Sequence, residues 1–212
     1  MTPPVAPELW HHPPLLVWRL STPRLALSSA PVGGGLAPVS WVLNAQVPPD
    51  YARTDLDVHV AELAAVHDLT GRGCGLLTAA RVAQWRRGSD GGVTADATVG
   101  LARPTWAADA DDAIGPWQVG TINIVIQVPV RLGEAALVGA VISATEAKAQ
   151  ALREAGIPGT GTATDAVCVL CPPRGAAESF AGPRALWGAR LARAVHAAVC
   201  AGMDGLHADQ TP

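Results

Sequence analysis

Residues 120–129 constrain the fold most, because branched apolar side chains occupy every second position of this stretch. Side chains alternate between the two faces of a β-strand, so the pattern predicts a strand with one apolar face. The opposite face carries mostly uncharged polar groups: Thr121, Asn123, Val125 and Gln127. The sequence therefore predicts a strand that buries isoleucines on one side and presents amides and hydroxyls on the other.

Similar apolar and turn patterns recur along the chain. They predict strands at residues 24–29, 40–47, 75–78, 93–101 and 167–170, helices at 55–69, 133–156 and 183–203, and one or two helical turns within 79–87. The mixture predicts an α+β fold: a single layered domain with a mainly antiparallel or mixed sheet packed with helices. We expect this domain at residues 21–205, after a Pro-rich arm (1–20) and before a short tail (206–212).

Charge and hydropathy exclude several classes of protein. The net charge is -3, without a basic stripe, so no nucleic-acid partner is expected. No apolar run approaches the roughly 20 residues that span a bilayer, and no signal peptide is recognisable, so we expect no membrane partner and a cytoplasmic location. The sequence does not indicate an oligomeric state.

No metal site is expected. Cys168 and Cys171 form a single C-x-x-C within a predicted strand, which is more typical of small buried side chains than of zinc ligands. The Asp-rich interval 106–117 lacks the glycine and the distal glutamate of a calcium-binding loop, and it predicts a solvated surface loop.

Uncharged polar faces recur on several strands. One includes Asn44 and Gln46; another is formed by Thr94, Asp96 and Thr98; and Thr160, Thr162 and Thr164 alternate in the same way if their segment is extended. A solvated outer face is the simpler interpretation for any one strand, but such faces usually carry lysine and glutamate. Together they favour a site for a neutral, amide-rich ligand.

Of the 15 lysine and arginine residues, only Lys148 is a lysine. It lies on an apolar stripe of the predicted helix 133–156, where an unpaired ammonium would be costly, so we expect it to meet a carboxylate. Asp165, which follows a Gly/Thr-rich loop, is the predicted partner. Two simpler interpretations stay open: Lys148 reaches past the edge of the sheet to solvent, and Asp165 caps a turn. Glu146 lies on the opposite side of the same helix, where it is either solvated or functional.

Five motifs together resemble those of adenosylcobinamide amidohydrolases. They are Ser-Ser-Ala-Pro at 28–31 with Gly-Gly at 33–34, Leu-Leu-Thr-Ala-Ala at 76–80, Gly-Thr-Ile-Asn-Ile at 120–124, Thr-Glu-Ala-Lys at 145–148, and Gly-Thr-Gly-Thr-Ala-Thr-Asp-Ala at 159–166. The resemblance covers about residues 20–203. The combination is specific, whereas no single motif would suffice.

The resemblance implies a reaction. Family members hydrolyse the amide between the aminopropanol arm and the corrin ring of adenosylcobinamide, which yields adenosylcobyric acid and 1-amino-2-propanol for cobamide salvage. The implied partner is a corrinoid substrate that carries its own cobalt, and no separate cofactor is expected. Two alternatives are a corrinoid-binding module without catalysis and an amidase of another amide-rich substrate.

Amide hydrolysis needs an activated nucleophile, oxyanion stabilisation and a proton for the leaving amine. Asp165 or Glu146 could activate water. Thr164 or Thr162 could instead attack the amide if Lys148 accepts the hydroxyl proton, or Lys148 could stay charged and stabilise the oxyanion. The backbone N–H groups of residues 159–161 and the amide of Asn123 are candidate oxyanion donors. The residues predicted to contact substrate are Asn123, Thr121, Thr162, Thr160, Asn44, Ser28, Ser29 and Thr78.

Overall fold

The computed structural model describes residues 3–110 and 120–208. In chain order the elements are β1 (Glu8–His11), β2 (Pro14–Ser28), β3 (Gly35–Gln46), α1 (Leu56–Val66), β4 (Gly73–Thr78), a 3₁₀ turn (Val82–Gln84), β5 (Arg86–Asp90), β6 (Val93–Val99), β7 (Ile122–Gln127), α2 (Glu134–Glu154), β8 (Ala166–Cys171) and α3 (Leu186–Ala208). These ranges contain no helix with the length and apolar content needed to cross a membrane.

The strands form one mixed sheet of eight strands in the order β4-β3-β2-β8-β7-β6-β5, with β1 paired to β2 outside this order. Two neighbouring pairs are parallel, β3 with β4 and β7 with β8. Parallel neighbours require a crossover connection, and α1 and α2 supply it. The predicted α+β class with a mixed sheet is confirmed.

The sheet curls over onto itself. β3 and β6 lie four strands apart in the order, which would separate them by about 19 Å in a flat sheet. Nevertheless Asn44 Nδ2 on β3 donates to Thr98 Oγ1 on β6 at 3.0 Å. The long strand β2 makes this possible, because its pairing with β3 is irregular between Arg19 and Arg24. One face of the sheet therefore becomes an enclosed inner layer.

Each surface of the curled sheet has its own hydrophobic core. The inner layer is filled by side chains such as Trp18, Leu76 and Leu170. On the outside, α2 and α3 cover one half of the sheet through a cluster that includes Ile124 and Leu137. The helix α1 covers the other half in a cluster formed by Leu15, Val17, Trp41, Leu43, Ala45, Val60, Leu63 and Ala64.

Two element predictions need correction. Strand β2 starts at Pro14 rather than near residue 24, within the stretch predicted as an arm. Its first half lacks polar alternation because both faces are buried: Leu16 and Trp18 face the inner layer, whereas Leu15 and Val17 face α1. The turns predicted at 79–87 amount to one 3₁₀ turn followed by β5.

Strand β5 is short and polar, so the sequence does not predict it. Gly88 lets the backbone of this strand approach Ala194 O of α3. In the predicted Asp-rich loop, Asp109 Oδ2 accepts a hydrogen bond from Trp106 N at 3.2 Å. Asp111 and Asp112 lie outside the described residues.

Asp96 anchors the inner layer and does not face solvent or an open ligand site. Its carboxylate accepts Arg87 Nε at 2.6 Å and Arg87 Nη2 at 2.7 Å, and Trp18 Nε1 donates to it at 2.8 Å. The Asp96 side chain is 1% exposed. Arg87 also donates to Val5 O at 3.0 Å, which ties the N-terminal segment to the sheet.

We predict that Asp96→Ala destabilises the fold by about 3–5 kcal/mol, because it leaves the Arg87 guanidinium and the Trp18 N–H without their acceptor. Urea unfolding measures this change. Asp55→Ala is the matched control, since it breaks an exposed ion pair with Arg53 and should leave the midpoint unchanged. Equal midpoints for both variants would contradict the structural role of Asp96.

Candidate active site

The motif residues meet where β7 and β8 begin. The two strands are parallel, with Asn123 beside Ala166, so Ile122 lies beside Asp165 and Thr121 beside Thr164 where the strands start. The crossover helix α2 packs against this part of the sheet and carries Lys148 on its buried side. Parallel pairing and a helical stripe thus bring together residues that are far apart in the sequence.

Asp165 accepts four hydrogen bonds. Its Oδ1 accepts from Ile122 N at 2.8 Å and from Thr162 Oγ1 at 2.5 Å. Its Oδ2 accepts from Thr162 N at 3.0 Å and from Lys148 Nζ. The pairing of Lys148 with Asp165, predicted from the sequence, is present, and the two side chains are only 9% and 11% exposed. The lone pairs of the carboxylate are therefore all engaged.

Gly161 lies directly against this ion pair. A Cβ at position 161 would overlap both Asp165 Oδ2 and Lys148 Nζ. The requirement here is for space, and no side chain larger than hydrogen fits without separating the two charges. The sequence predicts only a backbone N–H donor at this glycine, because the need for space follows from the positions of Lys148 and Asp165 in three dimensions.

Three threonine hydroxyl groups lie near the ion pair, and that of Thr162 bonds to it directly. Thr164 Oγ1 lies 2.7 Å from Thr121 Oγ1 and donates to Gly120 O at 3.2 Å. Thr162 Oγ1 lies within hydrogen-bonding distance of two acceptors, Asp165 Oδ1 and Gly120 O, the latter at 2.7 Å. The Thr162 hydroxyl has one hydrogen, so these two acceptors compete for it.

Thr160 is not part of this group. The extended conformation on which the alternation of the three threonines depends is not present, because residues 158–160 are bent, Gly161 forms an isolated bridge with Thr105, and residues 163–164 form a turn. Thr160 Oγ1 accepts from Ala107 N at 3.1 Å, and Thr160 N donates to Thr105 O at 2.8 Å. Thr160 therefore joins this loop to the preceding one.

The two asparagines form a buried network across the inner layer. Asn123 Nδ2 donates to Asn44 Oδ1 and to Leu77 O, both at 2.9 Å, and Asn44 Nδ2 donates to Thr98 Oγ1. The predicted amide-lined face is thus closed by contacts between its own side chains. Both hydrogens of Asn123 Nδ2 are engaged, so a role as an oxyanion donor would require one of these bonds to break, and that role stays a prediction. Its Oδ1 is buried and has no partner among the described residues.

The predicted serines and Thr78 bond to backbone. Ser28 Oγ donates to Val167 O at 3.1 Å, and Ser29 Oγ accepts from Val167 N at 3.0 Å, which fastens the end of β2 to the start of β8. Thr78 Oγ1 accepts from Ala80 N at 3.0 Å and closes the turn after β4. These hydroxyls shape the edge of the sheet, and a direct role in substrate contact stays a prediction.

Glu146 is not near the Lys148–Asp165 pair. It is exposed on the far side of α2, where it lines a groove of about 240 Å³ between α2 and α3 together with Gln150, Arg193 and His196. Its predicted catalytic role finds no support from this position.

The cysteine pattern does not form a ligand set. Cys168 packs in the inner layer, whereas Cys171 packs against α2 and α3 on the opposite face of β8. Among the residues that the structure describes, no group of three or more His, Cys, Asp or Glu side chains is arranged to hold a metal ion.

Comparison with known proteins identifies the family. Residues 5–210 match the family model described as adenosylcobinamide amidohydrolase. A relative named adenosylcobinamide amidohydrolase from Methanosarcina mazei is 33% identical over 186 residues, which cover 83% of this chain and 88% of the relative. A relative of the same name from Halobacterium salinarum is 32% identical over 89% of this chain and 84% of the relative.

A solved structure, that of the PH0078 protein from Pyrococcus horikoshii OT3, aligns with a TM-score of 0.48 and 11% identity over 96% of this chain and 80% of that chain. The assignment of this chain to a family rests on the family model and on the two sequence relatives. The protein is a hydrolase that acts on an amide bond. More specifically, the chain belongs to the adenosylcobinamide amidohydrolase family.

We predict that Gly161→Ala abolishes amide hydrolysis while the protein stays folded, because the added methyl group separates Lys148 from Asp165. Turnover and circular dichroism of the purified variant measure the two effects. Gly182→Ala is the matched control, since a Cβ there meets no atom within 4 Å. Wild-type turnover by Gly161→Ala would show that the ion pair tolerates displacement.

Proposed function

We propose that this protein hydrolyses the amide between the aminopropanol arm and the corrin ring of adenosylcobinamide. The products are adenosylcobyric acid and 1-amino-2-propanol, and the reaction serves cobamide salvage. Membership of the family supports this substrate. The observation that carries the assignment of the site is the Lys148–Asp165 pair, nearly buried beside hydroxyl groups at the edge where the family motifs meet.

Within this proposal Asp165 acts on Thr162 and not on free water. Three of its four hydrogen bonds come from Ile122 N, Thr162 N and Lys148, and the fourth comes from the Thr162 hydroxyl. Among these four donors, the Thr162 hydroxyl is therefore the nucleophilic group whose proton Asp165 can accept. In this arrangement Thr162 is the nucleophile, Asp165 is the base, and Lys148 is the charge that orients the base. The same three roles activate a hydroxyl group in other hydrolases.

The proposed reaction has two steps, formation of an ester on Thr162 and its hydrolysis. The Thr162 oxygen attacks the amide carbonyl while its proton passes to Asp165; the carbon–nitrogen bond breaks; and the amine leaves with that proton. Water then hydrolyses the resulting ester and restores the threonine. The cobalt ion takes no part and belongs to the substrate, and we propose that no metal is bound by the protein itself.

Two donors are available for the oxyanion. In residues 159–161, Gly159 N donates to Ile157 O and Thr160 N donates to Thr105 O, whereas Gly161 N makes no hydrogen bond to a described residue. A Cβ at position 161 would overlap Lys148 Nζ, so the ammonium lies close to this backbone. We propose that the Gly161 N–H and the Lys148 ammonium stabilise the negative charge that develops on the carbonyl oxygen.

Substrate contacts are proposed for the exposed rim and for one buried acceptor. Thr164 is exposed and is placed to contact the substrate's amides, whereas Thr121 is buried and holds the Thr164 hydroxyl in position. Asn123 Oδ1 is a buried acceptor without a partner, which is costly unless a donor arrives. We propose that a substrate N–H or an ordered water fills this position.

We predict that Thr162→Val lowers kcat for adenosylcobinamide by at least about 100-fold, because the variant keeps the shape of threonine but has no hydroxyl for Asp165 to activate. Quantifying adenosylcobyric acid by liquid chromatography measures the rate. Thr164→Val is the matched variant, because it makes the same change two residues further along the loop. It should raise KM more than it lowers kcat.

The reverse pattern, with kcat lost in Thr164→Val and kept in Thr162→Val, would assign the nucleophile to Thr164. Full activity in both variants would assign the attack to water. Tight binding of adenosylcobinamide by the wild-type protein without any turnover would contradict the proposed function itself.

A further inference from the structure

Helix α2 presents to solvent a face without charged side chains, which we call the outer face. Its residues follow one another at alternating spacings of three and four, so they lie on one side of the helix. They are Ala135, Val138, Ile142, Thr145 and Ala149. Ala149 is half-buried, and the other four are exposed. The same alternating spacing forms the contact surface of helices that pair in coiled coils.

The centre of the outer face is apolar. Val138 and Ile142, one turn apart, are each 53% exposed. A surface helix normally carries polar or charged groups on its solvent side, so two branched apolar side chains in adjacent turns indicate a face that binds a partner. Glu146 lies at the border of the outer face, in the groove toward α3.

Phe180 adds a large apolar side chain beside the first half of α2. It is 76% exposed, the highest value of any large apolar side chain among the described residues. Contacts on both sides of Phe180 hold its segment along the helix. Gly133 N donates to Glu178 O at 3.0 Å, and Ser143 Oγ donates to Ala181 O at 2.9 Å.

Opposite charges stand at the two ends of the outer face. Glu134 is in the first turn of α2 and Arg153 is in the last turn, roughly 29 Å away along the helix axis, and both are exposed. Neither forms an ion pair with another residue of the described ranges. A copy of α2 that runs in the opposite direction would bring acidic and basic ends together twice, whereas a parallel copy would oppose like charges.

We propose that the outer face of α2 binds the same face of a second copy of this chain, as an antiparallel helix pair related by a two-fold axis. Two-fold symmetry uses one surface twice, so that surface must complement itself. In this register Ile142 lies opposite the partner's Thr145, and Val138 opposite the partner's Ala149. A larger side chain therefore meets a smaller one in each layer. The interface does not depend on the substrate proposed above.

The size of the surface sets the expected strength of the dimer. The exposed apolar area here is roughly a few hundred Å² per subunit, less than the about 800 Å² per partner of a standard stable interface. We therefore expect a dimer of micromolar rather than nanomolar affinity.

The test is sedimentation velocity of the purified full-length chain between about 1 and 200 µM. The wild-type protein should change from monomer to dimer in this range. Ile142→Lys should raise the dissociation constant at least about 10-fold, because it places an ammonium of each subunit in the apolar centre. Val66→Lys is the matched control, since it changes an exposed branched side chain of α1, and it should keep the wild-type constant.

Thr145→Leu should have the opposite effect and tighten the dimer, because it extends the apolar layer opposite Ile142. A misfolded variant would not produce this gain. A wild-type protein that stays monomeric throughout the range overturns the proposal. A wild-type dimer that Ile142→Lys leaves intact also overturns it, since the two copies then meet through another surface.

Charge exchange tests the direction of the two helices. At low ionic strength Glu134→Arg and Arg153→Glu should each weaken the dimer about threefold, because each variant places like charges together at both ends of the pair. The double variant should restore the wild-type constant. Single variants that leave the constant unchanged would overturn the antiparallel pairing, because in a parallel pair each exchange replaces one like-charge contact with another.

Discussion

The ion pair between Lys148 and Asp165 is the contact on which the candidate active site depends. Two opposite charges that are about nine-tenths hidden from water stabilise a structure only if each has its partner and further hydrogen bonds. Asp165 meets this condition through Lys148, two backbone N–H groups and a threonine hydroxyl. Its carboxylate thereby fixes the loop before β8, the start of β7 and the middle of α2 relative to one another.

The curled sheet explains why this contact can exist. Because β2 bends and the first half of the sheet folds over the second, side chains that would be solvated on a flat sheet become an inner layer. Polar groups in that layer must bond to one another, as Asn44, Asn123 and Thr98 do, or pair ionically, as Asp96 and Arg87 do. The groups that remain accessible lie at the edge, where Thr162 and Thr164 surround the ion pair.

Sequence patterns predicted the parts of the fold that depend on one element at a time. The alternation in β7, the apolar stripe of α2 and the place of Lys148 on it followed from strand and helix periodicity. The alternation showed that β6 and β7 have two unlike faces, but it could not show that the polar face would be covered, because that depends on contacts between strands far apart in sequence. The first half of β2 falls in the stretch predicted as an arm, because the prolines of residues 1–20 determine that prediction and its apolar residues show no alternation.

The candidate active site, like the fold, could be predicted only in part from the sequence. The partner of Lys148 followed from the cost of burying a lone ammonium. The sequence could not reveal that both hydrogens of Asn123 Nδ2 are engaged, that Glu146 faces the groove between α2 and α3, or that Gly161 leaves room for the charges. These facts depend on side-chain directions in three dimensions.

A double-mutant cycle for adenosylcobinamide turnover, with Lys148→Met, Asp165→Asn and the combined variant, tests the central claim most directly. If the two charges act as one unit, each single variant should lose nearly all activity, and the combined variant should be no worse than either. Losses that simply add, or a Lys148→Met variant that turns over normally while folded, would contradict the account.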